Sequence, residues 1–496
     1  MRPLAVFGLF LLSLTAAAQP QQSAFDPKAV DKVMNATMKA WQIPGMAVAI
    51  VRNDRVVYAQ GYGLKELGGT EPVTADTLFQ IASTSKAFTT TAMAMLVSDG
   101  KLSWDDPVKK HIPYFQLDDL CADSQVTLRD IVSHRTGLGR NDELWDNTPL
   151  TREQVIRSMG ATKLTKPFRT AYQYQNIMFI AAGEAVEHAS GMPWEQFVKT
   201  RIFEPLQMTR TITSDEEWQT SDHAIGYRYD FKTSTVLPQL PIDTKTLGSA
   251  GAIKSTARDM GNWLRFQLSN GAFNLHQLVD PTAVEETKMP HPVLRLENTS
   301  RDMNPESNVM SYGMGWVIQD YRGELLVSHS GALNGFRTHV DLLPRRSSGF
   351  VIMANIGRGY ALVALRNALA DMLSGKPARD WNAYYLMLDR RAEEKAIKEK
   401  EERLANRAAD SKPLLALESY TGEYESRSHG KANITLVDGR LVLQWNRFTI
   451  PLTHLEHDTF LAESQLYEVD EEVTFSFDAK RAVAALEFFG AKFVKK

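Results

Sequence analysis

Three short patterns in the chain combine residue types that can carry acyl transfer. Serine followed three residues later by lysine occurs at Ser83-Thr84-Ser85-Lys86 and at Ser428-His429-Gly430-Lys431. A serine hydroxyl is a weak nucleophile until a neighbouring base takes its proton, and an amine takes it best when its own pKa is depressed. Positions i and i+3 of a helix share a face, so Lys86 can reach the Ser83 hydroxyl if the segment is helical. Burial beside other polar groups would then lower the amine's pKa. Ser83 follows Phe79-Gln80-Ile81-Ala82 and opens a helical stretch, whose start adds free N–H groups and partial positive charge. Ser428 lies in a glycine-containing turn between strands, where the pair has no reason to converge. Taken alone, Ser83 and Lys86 read either as a nucleophile with its base or as a helix cap followed by a solvated lysine.

Two further patterns add to the first. Tyr174-Gln175-Asn176 leads straight into a helical segment beginning at Ile177. A phenol near a cation can act as base or acid, and a carboxamide offers both a donor and an acceptor to a substrate amide. His329-Ser330-Gly331 is placed at the end of a strand-like run that starts at Leu325, shortly before Gly335. Glycine on a strand lets another backbone or a ligand approach closely. Each also has a plain structural reading, as a capped aromatic loop and as a turn between strands.

The elements that must position these groups follow from periodicity. Phe25 to Trp41 repeats apolar residues at helical spacing, and Met46–Val51 with Val56–Tyr62 flank Arg52-Asn53-Asp54-Arg55 as a hairpin. The first of these strands is nearly all apolar, as expected for burial on both faces. The middle of the chain is mostly helical, over 86–99, 127–133, 153–159, 177–190 and 256–268, the last opened by a capping-box variant of Thr256 and Asp259. Strand-like runs return at 315–319, 325–328, 336–343 and 349–355. The pattern predicts one α+β sheet whose first and last strands lie together around a helical insertion.

From Asp389 to Asp410 the chain is dominated by Arg, Lys, Glu and Ala, which reads as a solvated helix ended at Pro413. From Leu414 onward short strands alternate with turns, and Asp438-Gly439 between two alternating runs is the clearest hairpin signal in the chain. The expected division is a signal peptide at 1–18, a main domain at 19–376, a charged helical linker at 377–412, and a small all-β domain at 413–496. Tyr424, Trp445 and Phe448 are expected to form the core of that last domain. All the reactive groups lie before Lys376, so acylation is expected to proceed without the tail.

The bulk composition bounds the function. The chain has 496 residues, 43% of them hydrophobic, with a net charge of −3. That balance lacks the basic footprint that grips nucleic acid. A single cysteine, Cys121, excludes an intrachain disulfide and a thiolate metal cluster. Arg2, the apolar run from Leu4 to Leu14 and Ala16-Ala17-Ala18 form an export signal with cleavage expected after Ala18. The run is shorter than the roughly 20 residues a spanning helix needs. A secreted or periplasmic protein, with no membrane span after cleavage, is expected.

In this order, the three patterns resemble the serine β-lactamase and penicillin-binding-protein superfamily, in its class C-like branch, where Tyr-x-Asn is the second motif. Ile43 to Ile50, Val126 to Leu138, Gly248 to Met260 and Tyr312-Gly313-Met314-Gly315-Trp316 resemble that branch as well. The likeness covers about 27–375, and the tail is similar to a small β domain often appended to such hydrolases. It implies a β-lactamase-like α+β fold with a sheet flanked by helices. It also implies roles: Ser83 as acyl nucleophile, Lys86 and Tyr174 sharing proton transfer, and Asn176 holding the acyl amide. His329, Ser330, Gly331 and Ala332 would line the substrate, with the N–H groups of Ser83 and Ala332 forming an oxyanion hole. No metal or cofactor is implied.

This chain departs from the family's β-lactamases at one motif, with His329-Ser330-Gly331 where they carry Lys-Thr-Gly. Histidine is mostly neutral near pH 7, so reading of an anionic substrate terminus is in doubt. Histidine here resembles the D-aminopeptidase and esterase members. The expected function is a secreted serine hydrolase acting on an ester, amide or peptide bond, as an esterase, a peptidase or a weak β-lactamase, with a small molecule or peptide as its partner. Two other readings stand beside it: a non-catalytic penicillin-binding-like sensor, and a binding protein whose function lies in 413–496.

Overall fold

The computed structural model describes residues 25–408, 410–464, 467 and 469–496, so the expected signal at 1–18 lies outside the described residues. Helix α1, Pro27–Trp41, opens with Asp26, whose carboxylate accepts from the Lys28 N–H at 3.0 Å. The hairpin follows as β1, Gly45–Arg52, and β2, Arg55–Gly63. Five later strands complete the sheet: β3, Met310–Tyr312; β4, Val317–Tyr321; β5, Glu324–Leu333; β6, Phe336–Leu343; and β7, Ser348–Ala354. The order is β2-β1-β7-β6-β5-β4-β3, antiparallel throughout. First and last strands therefore pair, with Val48 opposite Ile352.

Both faces of this sheet are covered, which accounts for the apolar run in β1. Ala47, Ala49 and Val51 join a core shared with the helical insertion. Met46, Val48 and Ile50 point the other way, into a core with α1 and the later helices. Within the insertion, α2, Ser85–Ser98, is buried at every position from Ser85 to Leu96 and packs against α3, Asn176–Ser190. Helix α4, Ala257–Leu268, covers β1, β2 and β7. Thr256 caps it by accepting from the Asp259 N–H, but the expected reciprocal arm is absent: Asp259 instead accepts from Arg210 N–H and the Thr211 hydroxyl.

Two boundaries differ from the sequence expectation. The strand expected over 325–328 runs on to Leu333, so His329-Ser330-Gly331 lies inside β5 and not past its end. Pairing with β6 carries it through, with Gly331 opposite Thr338. The charged helix begins earlier and ends sooner. Following α5, Gly359–Ser374, helix α6 runs Trp381–Ala405. Its first turns bury Trp381, Tyr385 and Leu388 in the main core, and only the later turns are charged and solvated. Among the described residues no helix is long and apolar enough to cross a membrane.

The C-terminal region is a closed eight-stranded barrel. Its strands are β8, Gly422–Ser426; β9, Gly430–Val437; β10, Arg440–Trp445; β11, Phe448–Glu456; β12, Thr459–Ser464; β13, Val469–Phe477; β14, Val483–Phe488; and β15, Ala491–Lys495. Asp438 and Gly439, at φ 50° and 75°, make the tight turn between β9 and β10. Closure leaves no sheet edge to pair with another chain. Tyr424, Trp445 and Phe448 fill the interior with Phe460, Phe475 and Phe493.

Candidate active site

Ser83 sits in one tight turn, Ala82–Thr84, that runs directly into α2. The turn is gripped from two sides. Phe79–Gln80 pairs with Lys254–Ser255, and the Ile81 N–H donates to Ile253 O at 3.1 Å. On the other side β5 passes so close that a Cβ on Gly331 would lie 2.2 Å from Ile81 O. Glycine at 331 is thus a steric requirement of the turn that carries Ser83. Between these supports Ala82 is held at φ 49°, a left-handed conformation that costs a non-glycine residue about 1 kcal/mol or more.

Lys86 is fully buried. Its Nζ lies 3.2 Å from Ser83 Oγ, 2.7 Å from Asn176 Oδ1 and 2.8 Å from Ala250 O. Desolvation pushes its pKa well below the ordinary lysine value; the Asp142 carboxylate opposes that shift and the Arg140 guanidinium adds to it. A neutral amine has two hydrogens and one lone pair. The two carbonyl oxygens take the hydrogens, which leaves the lone pair facing Ser83 Oγ.

Tyr174 shares a hydrogen bond with Ser83, and its ring lies 4.8 Å from Lys86 Nζ. Desolvation raises the phenol's pKa more than Ser83 and Arg140 lower it, so Tyr174 stays protonated. A nearby cation acts on this phenol in the direction expected from the sequence, the Arg140 guanidinium lying 5.2 Å from the Tyr174 ring, but desolvation outweighs it. Asn176 faces the protein on two sides: its Oδ1 accepts from Lys86 and its Nδ2 donates to Asp142 Oδ1 at 2.9 Å. One amide hydrogen is left for a ligand.

His329 is buried at 4% exposure. Its Nδ1 faces Ser330 O at 2.7 Å, so Nδ1 carries the proton and Nε2 accepts from the Tyr312 hydroxyl at 3.0 Å. Desolvation, with Lys86 nearby, drives its pKa down to about 3. It is a neutral ring with its tautomer set on both sides. Ser330 and Ala332 are exposed along the same strand and line the cleft with Ser83.

Several groups that hold this site carried no assigned role in the sequence. His134, at φ 58°, braces Tyr174 from both sides: its carbonyl accepts from Gln173 N–H at 2.8 Å and its Nδ1 from Gln175 N–H at 3.1 Å. Gln175 caps α3, its Oε1 accepting from the Ile177 N–H at 2.8 Å. His134, Ala250 and Tyr312 all fall in stretches that resemble the family, so a signal existed without a role. Asp142 falls in no motif. Ser98-Asp99-Gly100-Lys101 is a further serine–lysine pair, at the C-terminal end of α2, where Ser98 Oγ donates back to Ala94 O at 3.0 Å and accepts from the Asp280 N–H at 3.3 Å.

The cleft measures about 1010 Å³. Tyr172, Tyr174, Tyr312 and Trp145 wall it near Ser83, and Arg228, Arg337 and Arg358 lie along it. Its walls come from α3, β5, β6 and the loop around Asp142, so the site exists only where sheet and insertion meet.

A two-faced antiparallel sheet, a buried helix starting at a serine and an appended barrel define a β-lactamase-like fold with a C-terminal β domain. The chain matches the beta-lactamase family model over residues 30–371 and a domain of unknown function (DUF3471) over 406–495, and it belongs to the beta-lactamase family of serine-hydrolase-like proteins. It is 30% identical to the unguisins hydrolase ungD' of Aspergillus campestris over 84% of this chain and 79% of that protein. It is 26% identical to Protein flp of Staphylococcus aureus over 67% of this chain, spanning 63% of that protein's length. Among solved structures, an octameric penicillin-binding protein homologue from Pyrococcus abyssi has a similar fold, with a TM-score of 0.63 at 23% identity, covering 95% of this chain and 100% of that one.

Proposed function

We propose that the protein is a serine hydrolase that forms an acyl-enzyme at Ser83. The observation that carries the reading is the buried, deprotonation-prone Lys86 amine 3.2 Å from the Ser83 hydroxyl, with its two hydrogens already taken. Ser83 Oγ attacks the substrate carbonyl carbon as its proton passes to Lys86 Nζ. The carbonyl electron pair moves onto oxygen, which the N–H groups of Ser83 and Ala332 stabilise. The tetrahedral intermediate collapses and expels the leaving group. Tyr174 protonates that group and recovers its proton from Lys86. Water then repeats the sequence on the acyl-enzyme and frees the acid.

Asn176 orients Lys86 and offers its remaining hydrogen to the acyl portion. His329 favours a neutral substrate end, because a ring with its pKa near 3 carries no charge to pair with a carboxylate. Esters, amides or peptide bonds of that kind are the substrates, and the relative named as a hydrolase agrees with bond cleavage. On this reading residues 1–18 direct export and are removed after Ala18, leaving a main domain to 376, a helical connection over 377–412 and the β domain at 413–496. The test is labelling with a serine-directed fluorophosphonate and identification of the modified peptide. Label on Ser83, lost in Ser83→Ala, is expected; label elsewhere, or none, overturns the reading.

A further inference from the structure

The barrel meets the active-site body at the loop 141–147 and at Asp243. Residues 141–147 turn between two left-handed asparagines, Asn141 at φ 47° and Asn147 at φ 48°. At one end of this loop His429 Nε2 lies 3.1 Å from Glu143 Oε1, with His429 at 6% exposure. At the other end the Arg447 N–H donates to Asn147 O at 3.0 Å. Arg447 also pairs with Asp243 at 2.6 Å. Ser428 Oγ lies 2.7 Å from His429 Nδ1. A carboxylate can only accept, so Nε2–H donates to Glu143 and Nδ1 accepts from the Ser428 hydroxyl. Both ring nitrogens of His429 are then satisfied, Nε2 across the contact and Nδ1 by the neighbouring Ser428.

The residue next to Glu143 is Asp142. Its Oδ1 accepts from Asn176 Nδ2 at 2.9 Å and from Trp145 Nε1 at 2.7 Å. Asn176 in turn accepts from Lys86 at 2.7 Å. A continuous set of contacts therefore runs from the barrel to the base.

We propose that the barrel is a clamp on loop 141–147, and that His429 is a positioning residue for Lys86, acting through Glu143, Asp142 and Asn176. The inference rests on the acyl-enzyme reading for its kinetic consequence, and on geometry alone for the clamp. With the clamp open, Asp142 sits less well against Asn176, and Lys86 loses both its aim and part of the carboxylate that raises its pKa. The groups facing Lys86 are Asp142, Arg140, Tyr174, His134 and His329; of these only Asp142 and Arg140 lie on the clamped loop or beside it.

The test uses the full chain with His429→Ala, His429→Gln and Glu143→Ala. The Gln amide at 429 can reproduce the Nε2–H donor, and Glu143→Ala removes the acceptor and so breaks the contact from the body side should His429→Ala fail to fold. In His429→Ala, acylation of Ser83 should fall about 10-fold, within the 10²-fold that misplacement by about 1 Å can cost, with KM nearly unchanged. The acid limb of the kcat/KM profile should move to lower pH. Amide exchange over 141–147 should quicken, and His429→Gln should restore most of all three. Wild-type acylation rate, limb and exchange in both His429→Ala and Glu143→Ala would overturn the clamp. Exchange decides it even if wild-type Ser83 takes no label, a result that would sink the acyl-enzyme reading instead.

Discussion

The main body and the barrel both carry serine, two residues and lysine, and the same four-residue spacing becomes two different things. In the body the quartet straddles a tight turn and the first residues of α2, so both side chains fall on one face and Lys86 is sealed from water. In the barrel Ser428 precedes β9 and Lys431 lies on it, reaching out to Glu423 at 2.9 Å with 64% of its side chain exposed. Ser428 turns the other way, to His429. A motif of this kind acts as chemistry only where secondary structure converges the pair and burial removes the amine's charge. An exposed lysine keeps its proton and its solvation, and cannot serve as a base near neutral pH.

The comparison can be broken most directly at the serine. Ser83→Ala should abolish turnover, by about 10⁴-fold or more, with the fold kept, because among the described residues the side chain's hydrogen-bond partners are Lys86 and Tyr174. Hydrolysis assays with circular dichroism check both halves; label moving to Ser428 would erase the distinction between the two quartets. Next in size is the lysine. Lys86→Met fills the buried space with an apolar chain and removes the base, and kcat should fall about 10²- to 10⁴-fold. Lys431→Ala should leave kcat as it is.

Tyr174→Phe should lower kcat about 10²-fold, since the phenol relays the proton without receiving it first. Combined with Lys86→Met it should cost much less than the product of the two, because both act on one proton path. Additive losses in log rate would separate them. A pH profile gives the finest reading. Because burial lowers the Lys86 pKa, kcat/KM should rise with pH through a limb well below the ordinary lysine range, as the amine loses its proton. His329, neutral above about pH 3, should add no limb near neutrality, and His329→Gln should leave the limb in place. Movement of the limb in that variant would make His329 a titrating partner.

Much of the fold was legible because it is written in local periodicity. The unbroken apolar run of β1 reports a strand covered on both faces, and Asp438-Gly439 reports a turn that needs two positive φ values. Legibility failed where a boundary depends on a partner. His329-Ser330-Gly331 read as a strand's end because serine and glycine are poor strand formers, yet pairing with β6 carries β5 through them. The charged helix starts at Trp381, not Asp389, because its first turns face a core that composition does not reveal.

The sequence by itself determined the local pieces: the serine–lysine step, the tyrosine and asparagine before α3, the caps and the tight turns. Each depends on residues a few positions apart, whose relative placement backbone geometry already sets. The tertiary structure alone decided which pieces work together. Lys86 finds Asn176 across 90 positions and Ala250 across 164, and Glu143 meets His429 across 286. Over such separations spacing carries no geometry. Only the packing of sheet, insertion and barrel removes water from one lysine and leaves the other solvated, and that difference in desolvation separates a base from a surface charge.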